Sequence, residues 1–262
     1  MTTDRSPGEW NLAVRQQAAV ARIGQVGLRS NDLDEVLREA IFVAADTLDA
    51  PDIGLFEVLP GRRHLRGRAG MHAGQIVSRR RMSRVEVPVG PGSLPGYAVQ
   101  QGTAVVVPDL VGDDRFHALA PDQGIDVRAA LAAPISWDEH PWGVLVIYDD
   151  ELRTWTDDEV HFVQSIANTM GLAIQRAAIE RELRDSSTRL DISLRAGGLG
   201  AWSWDLDGDR LWLNASALEM YGLDGTAFNG VGLDFMAVIH PEDRERFPQA
   251  LEGSQSPSVE QH

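Results

Sequence analysis

The sequence predicts an α+β chain, in which an antiparallel sheet flanked by helices is followed by one long helix and a smaller, incomplete α+β unit. Three observations predict it. Apolar residues recur at helical spacing before residue 50 and again after residue 156. Between those stretches the period shortens to that of strands broken by Pro- and Gly-bearing turns. A second, shorter run of aromatic alternation begins at Leu199. Helices at both ends of a strand-rich segment place one sheet beneath a helical layer.

Residues 1–11 read as a flexible N-terminus. Residues 12–25 form an amphipathic helix with Val14, Ala18, Ala21 and Ile23 near one side. A second helix follows Asn31, which can cap it, and carries Leu33, Val36, Leu37, Ile41, Phe42, Ala45 and Leu48 as a wide apolar face. Strands are expected at 53–59 and 64–72 around a Pro60-Gly61 turn, then at 85–89. A Gly- and Pro-rich lead-in over 90–102 ends in a short helix at 97–101, and 104–107 reads as a buried strand. An irregular acidic loop precedes strands at 129–135 and 142–148, joined by a polar hairpin at 136–141. The first and last helices of this segment are expected on one face, the natural surface for a homodimer.

The long helix begins with a capping box, in which the Thr156 hydroxyl accepts from the Glu159 N–H while the Glu159 carboxylate accepts from the Thr156 N–H. Asp157 and Asp158 favour the positive end of the helix dipole. Apolar residues continue through Val163, Ile166, Met170, Ala173, Ile174 and Ala177, then thin to Ile179, Leu183 and Leu190 until Gly197 and Gly198 end the pattern. A helix that leaves one core for another is a mechanical connector. Val163, Ile166, Met170, Ile174, Ile179, Leu183 and Leu190 are therefore the expected dimer and signalling positions.

Composition excludes several chemistries. The chain of 262 residues has no cysteine, which removes disulfides, thiolate metal sites, Cys nucleophiles and thioether-bound chromophores. A formal charge of −15 repels phosphate backbones, so no nucleic-acid partner is expected. All 24 cationic side chains apart from histidine are arginine, which reads as coding bias. The longest apolar run, near 143–148, falls far short of the roughly 20 residues of a membrane span. Residues 1–10 carry no signal-peptide core, so a cytoplasmic location without membrane partners is expected. No Gly-rich phosphate loop, HExxH or catalytic dyad occurs, and the chain is not expected to be an enzyme. The lone histidines His72, His117, His140 and His161 lack ligand spacing, and Arg79, Arg80, Arg81 and Arg84 read as a solvated loop.

An ordered series of short motifs spans residues 12–178: Val106-Val107-Pro108-Asp109, Asp113-Asp114-Arg115-Phe116, the run from Val127 to Ile135, Pro141-Trp142-Gly143-Val144, and Arg153-Thr154-Trp155-Thr156-Asp157-Asp158-Glu159. In this order they resemble a GAF domain. The resemblance implies a small-molecule pocket between the sheet and the loop after the 104–107 strand, or a dimerisation role. Phe56, Asp109, Phe116, Leu131 and Val144 would line that pocket. The loop lacks the lysine of cyclic-nucleotide-binding members, and bilin attachment and GAF-type methionine sulfoxide reduction both need cysteine. The cofactor is therefore left unknown.

Residues 179–196 read as a signalling helix. Beyond it, Trp202 and Trp204 share one face of a strand, Asp207-Gly208-Asp209 makes a turn, 211–213 returns, and Asn214 caps a short helix ending at Tyr221-Gly222. Gly200-Ala201-Trp202-Ser203-Trp204-Asp205 and His240-Pro241-Glu242-Asp243-Arg244 resemble the front half of a PAS domain over 197–252, with His240 as a cap or turn residue. Three further strands of such a domain are missing and 253–262 reads as a disordered tail, as in a fragment of a longer signalling protein. The expected function is sensory input through a homodimeric helix to an output domain elsewhere. A ligand-free scaffold and a haem or flavin sensor are the alternatives.

Overall fold

In the computed structural model, which describes residues 7–116, 127–138, 140–225 and 228–244 with side chains from residue 13, the chain divides into two units, Met1–Glu180 and Arg181–His262. Helix α1 (Pro7–Arg29) starts earlier than the sequence reading, because Pro7 is preorganised for a first helical turn. Residues 7–11 are thus helical, and residues 1–6 lie outside the described residues. Helix α2 (Leu33–Leu48) is capped by Asp32, not Asn31: Asp32 is extended at φ −93° and its carboxylate accepts from the Asp34 N–H.

The strands are β1 (Asp52–Val58), β2 (His64–His72), β3 (Gln75–Val77), β4 (Glu86–Pro88), β5 (Val105–Val107), β6 (Ala129–Ser136) and β7 (Pro141–Asp149). They form one sheet in the order β3-β2-β1-β7-β6-β5, with β4 also on β2 and every pair antiparallel. Between strands lie the one-turn α3 (Arg79–Met82), where a solvated loop was expected, and α4 (Leu94–Gln101). Helix α4 begins before the predicted 97–101 because Ser93 accepts from the Gly96 N–H and Pro95 occupies the first turn.

Side chains alternate across the central strands and separate two cores. Ile53, Leu55, Leu131, Ile135, Leu145 and Ile147 face α1, α2 and helix α5 (Asp157–Ala196). Phe56, Ala130, Ala132, Val144, Val146 and Tyr148 face the other way, under α4 and beside Val105 and Val107 of the edge strand β5. Thr156 and Glu159 make the expected reciprocal cap, with Thr156 N–H donating at 2.8 Å and Glu159 N–H at 3.2 Å.

Val163, Ile166, Met170 and Ile174 form the stripe of α5 that packs on the sheet, each no more than 3% exposed. They serve the fold of one chain and are not a face between chains. The 3-4 spacing of a core stripe is the same as that of a dimer seam, so sequence period could not separate the two. Ile179, Leu183 and Leu190 are exposed. Gly171 makes the close approach possible: a Cβ there would press into the Ser136 carbonyl oxygen of β6.

In the second unit β8 (Trp202–Asp205) pairs with β9 (Arg210–Leu213), setting Trp202 opposite Leu213 and Trp204 opposite Leu211 on one face. Asn214 caps α6 (Ala215–Met220), accepting from the Ala217 N–H at 2.9 Å. The short α7 (Gly232–Phe235) runs into a 3-10 turn at Met236–Val238. Leu211, Leu213, Ala217 and Phe235 make its small core. His240 sits in a turn, its carbonyl accepting from the Asp243 N–H at 2.9 Å. The predicted tail at 253–262 lies outside the described residues.

Candidate functional site

The face of the sheet away from α1, α2 and α5 gathers most of the predicted pocket residues. Strand period two puts Val144, Val146 and Tyr148 of β7 beside Ala130 and Ala132 of β6 and Phe56 of β1. Gly54 leaves room for the two rings: a Cβ there would lie 2.6 Å from Phe56 Cε2 and 3.3 Å from Tyr148 Cε2. Leu94, Ala98 and Val99 of α4 and Val107 of β5 complete the apolar layer.

Phe116 belongs to this face and is buried. Its ring meets Tyr97 edge-on at 5.5 Å, and the Arg115 guanidinium lies over it at 4.9 Å. Asp113 holds that guanidinium through its carboxylate, and the same bonds keep the Asp113 carboxyl below its ordinary range. Residues 117–126, including His117, lie outside the described residues.

Two predicted pocket residues fall elsewhere. Leu131 points to the helical face with Ala133 and Ile135. β6 is apolar and buried on both sides, so composition gave no sign of which parity faces which layer. Asp109 shapes the loop instead: its carboxylate accepts from the N–H groups of Val111 and Gly112, both at 3.2 Å.

Tyr148 was missed, although its spacing from Val144 places both on one face of a strand. Its hydroxyl is buried and has no hydrogen-bond partner among the described residues, and burial pushes its pKa well above the ordinary phenol value. It stays a neutral donor at any physiological pH. Asp52 lies directly across from Tyr148 in the β1–β7 pairing, and its buried carboxylate lies 2.6 Å from His72 Nδ1 and also accepts from the Ala73 N–H. Among the described residues no three His, Asp or Glu side chains converge as metal ligands. Arg79 pairs with Asp34 at 3.1 Å, beside a cavity of about 210 Å³ lined by Leu37, Arg68 and Ile76.

The family model for the GAF domain matches residues 32–174, more than half of the chain. The chain belongs to the GAF family. An uncharacterised protein of Picosynechococcus sp. is 38% identical over 77 residues, 29% of this chain and 47% of that protein. The circadian input-output histidine kinase CikA of Thermosynechococcus vestitus is 27% identical over 99 residues, 36% of this chain and 13% of the kinase. The GAF domain from a phosphoenolpyruvate-protein phosphotransferase of Coxiella burnetii shares the fold, with a TM-score of 0.58 at 19% identity over 65% of this chain and 98% of that domain. The match spans less than half the length of these two curated relatives. GAF domains act as sensory modules in bacterial signalling proteins. Among the described residues no helix is long and apolar enough to cross a membrane.

Proposed function

We propose that this chain is the sensory and regulatory portion of a longer cytoplasmic signalling protein. Its GAF domain takes a small molecule or partner on the face carrying Phe56, Phe116, Val144 and Tyr148, and a parallel homodimer passes the change along α5 to an output domain. In this reading the chain is not itself an enzyme, and the Arg181–His262 unit serves as the front half of a PAS-like module.

The observation that carries the reading is the outer stripe of α5. Leu172, Ile179, Leu183 and Leu190 are 66%, 58%, 71% and 61% exposed. They follow one another at spacings of seven, four and seven, with Arg176 and Ser186 at the intervening seam positions. That is the heptad pattern of a coiled coil, and its polar interruptions leave it weak enough to be biased from outside. Sedimentation velocity tests it: the wild-type chain runs as a dimer and Leu183→Glu as a folded monomer. A wild-type monomer, or a Leu183→Glu dimer, removes the reading.

A specific observation supports a second reading, that of a ligand-free assembly module. Phe56, Val107, Val144 and Val146 are buried against one another by the chain's own side chains. Native mass spectrometry of freshly purified protein separates the two, since a retained small molecule excludes the scaffold.

A further inference from the structure

We infer that Arg153 ties the ligand-facing strand of the GAF sheet to the first turn of α5, and that its ion pairs carry a change on that face into the helix. This inference rests on the reading that the Phe56–Tyr148 face receives the stimulus.

Residues 150–156 join β7 to α5 without regular structure. From the middle of that link the Arg153 guanidinium reaches three elements. Nη1 donates to Asp149 Oδ2 at the end of β7 at 2.9 Å, and Nη2 donates to the Leu48 carbonyl at the end of α2 at 3.0 Å. Nη2 also donates to Glu159 Oε1 in α5 at 2.6 Å, while Arg153 Cζ lies 4.3 Å from the centroid of the Trp155 ring. Only 21% of the arginine side chain is exposed, against 15% and 14% for Asp149 and Glu159, so water screens these pairs weakly. The charge and the fork geometry both matter here, because the guanidinium reaches its acceptors from two separate nitrogens, whereas an ammonium concentrates its three donors on one atom.

The two ends of this bridge belong to different functions. Asp149 directly follows Tyr148, whose ring lies on the ligand-facing side and whose hydroxyl has no partner among the described residues. A shift of Tyr148 moves the backbone that carries Asp149. Glu159 receives Arg153 on Oε1 and the Thr156 N–H on Oε2, so one carboxylate both accepts the bridge and closes the helix. The Arg153 N–H adds a long 3.4 Å bond to the Pro108 carbonyl, beyond β5. Pulling the guanidinium therefore acts on the start of α5, upstream of the exposed stripe.

Hydrogen exchange on the full chain tests the coupling without any ligand. Tyr148→Leu disturbs the far face, and the exchange of amides 160–163 reports opening of the first turn of α5. In the otherwise wild-type chain the substitution speeds that exchange at least about fivefold, and in a Glu159→Gln background less than about twofold. Gln still accepts from the Thr156 N–H, so the cap survives while the charged bridge is lost. Arg153→Lys gives the same uncoupling. Equal acceleration in both backgrounds overturns the inference, and so does no acceleration in the first. Should Tyr148→Leu fail to fold, Val146→Ala supplies the disturbance under the same criteria. Failure here leaves the dimer result for Leu183→Glu standing, and failure of that dimer leaves the coupling measurable.

Discussion

At Tyr148 burial and the missing hydrogen-bond partner act in the same direction. The hydroxyl contributes desolvation cost without a bond to offset it, so Tyr148→Phe is expected to leave stability unchanged or raise it by up to about 1 kcal/mol in urea unfolding. The pH dependence has a definite sign. The folded phenol has a raised pKa. Its contribution is therefore complete below the unfolded pKa of about 10 and is lost as pH rises beyond it. Stability of the wild-type chain falls more steeply above about pH 10 than that of Tyr148→Phe, which alkaline denaturation measures. At this scale the resemblance placed Phe56, Phe116 and Val144 together and they do share one face, whereas Leu131 faces the other, because the apolar runs of β6 and β7 hide which parity faces which layer.

Helix α5 shows how one element is fixed at both its start and its middle. At its start, burial of Glu159 raises its carboxyl, but hydrogen bonds from Thr156 and Arg153 outweigh that and hold the pKa below the ordinary value. The stability it contributes is present above the unfolded pKa of about 4.3 and is lost as pH falls through the lower folded value. Acid titration followed by hydrogen exchange is expected to open the first turn before the middle of the helix. In the middle, two effects compete at Gly171. Alanine gains about 1 kcal/mol of helix propensity, whereas its Cβ meets backbone at Ser136 that cannot rotate away. The steric effect wins, and Gly171→Ala is expected to cost about 1–3 kcal/mol in thermal unfolding. The capping box was visible as Thr156 and Glu159 at the three-residue spacing just before an apolar-periodic run. The two faces of the helix were not, since inner and outer stripes share the same residue types.

Across the whole molecule the two units have separate cores of unequal size. The GAF unit buries two extended apolar clusters, while the Arg181–His262 unit centres on Leu211, Leu213, Ala217 and Phe235. Calorimetry is expected to show two transitions, the smaller unit melting first. Asp209 is the pin of that unit: its carboxylate accepts from Trp204 Nε1 at 3.0 Å and from the Leu233 N–H at 3.2 Å, joining the β8–β9 turn to α7. Asp209→Ala is expected to destabilise the first transition by about 1–3 kcal/mol and leave the GAF transition in place. A single transition, or a shift of both, would show that the units melt together.

The sequence by itself determined the α+β class, the order of the longer strands and helices though not β3 or α3, the cap of α5 and the absence of cysteine chemistry, because each depends on local spacing or on composition. Tertiary structure decided what depends on which side a residue faces. It sent Leu131 to the helical layer, turned Val163, Ile166, Met170 and Ile174 inward, left Leu183 and Leu190 outward, and brought Asp149, Leu48 and Glu159 around Arg153. Those contacts join residues far apart in the chain, and neither period nor propensity encodes them.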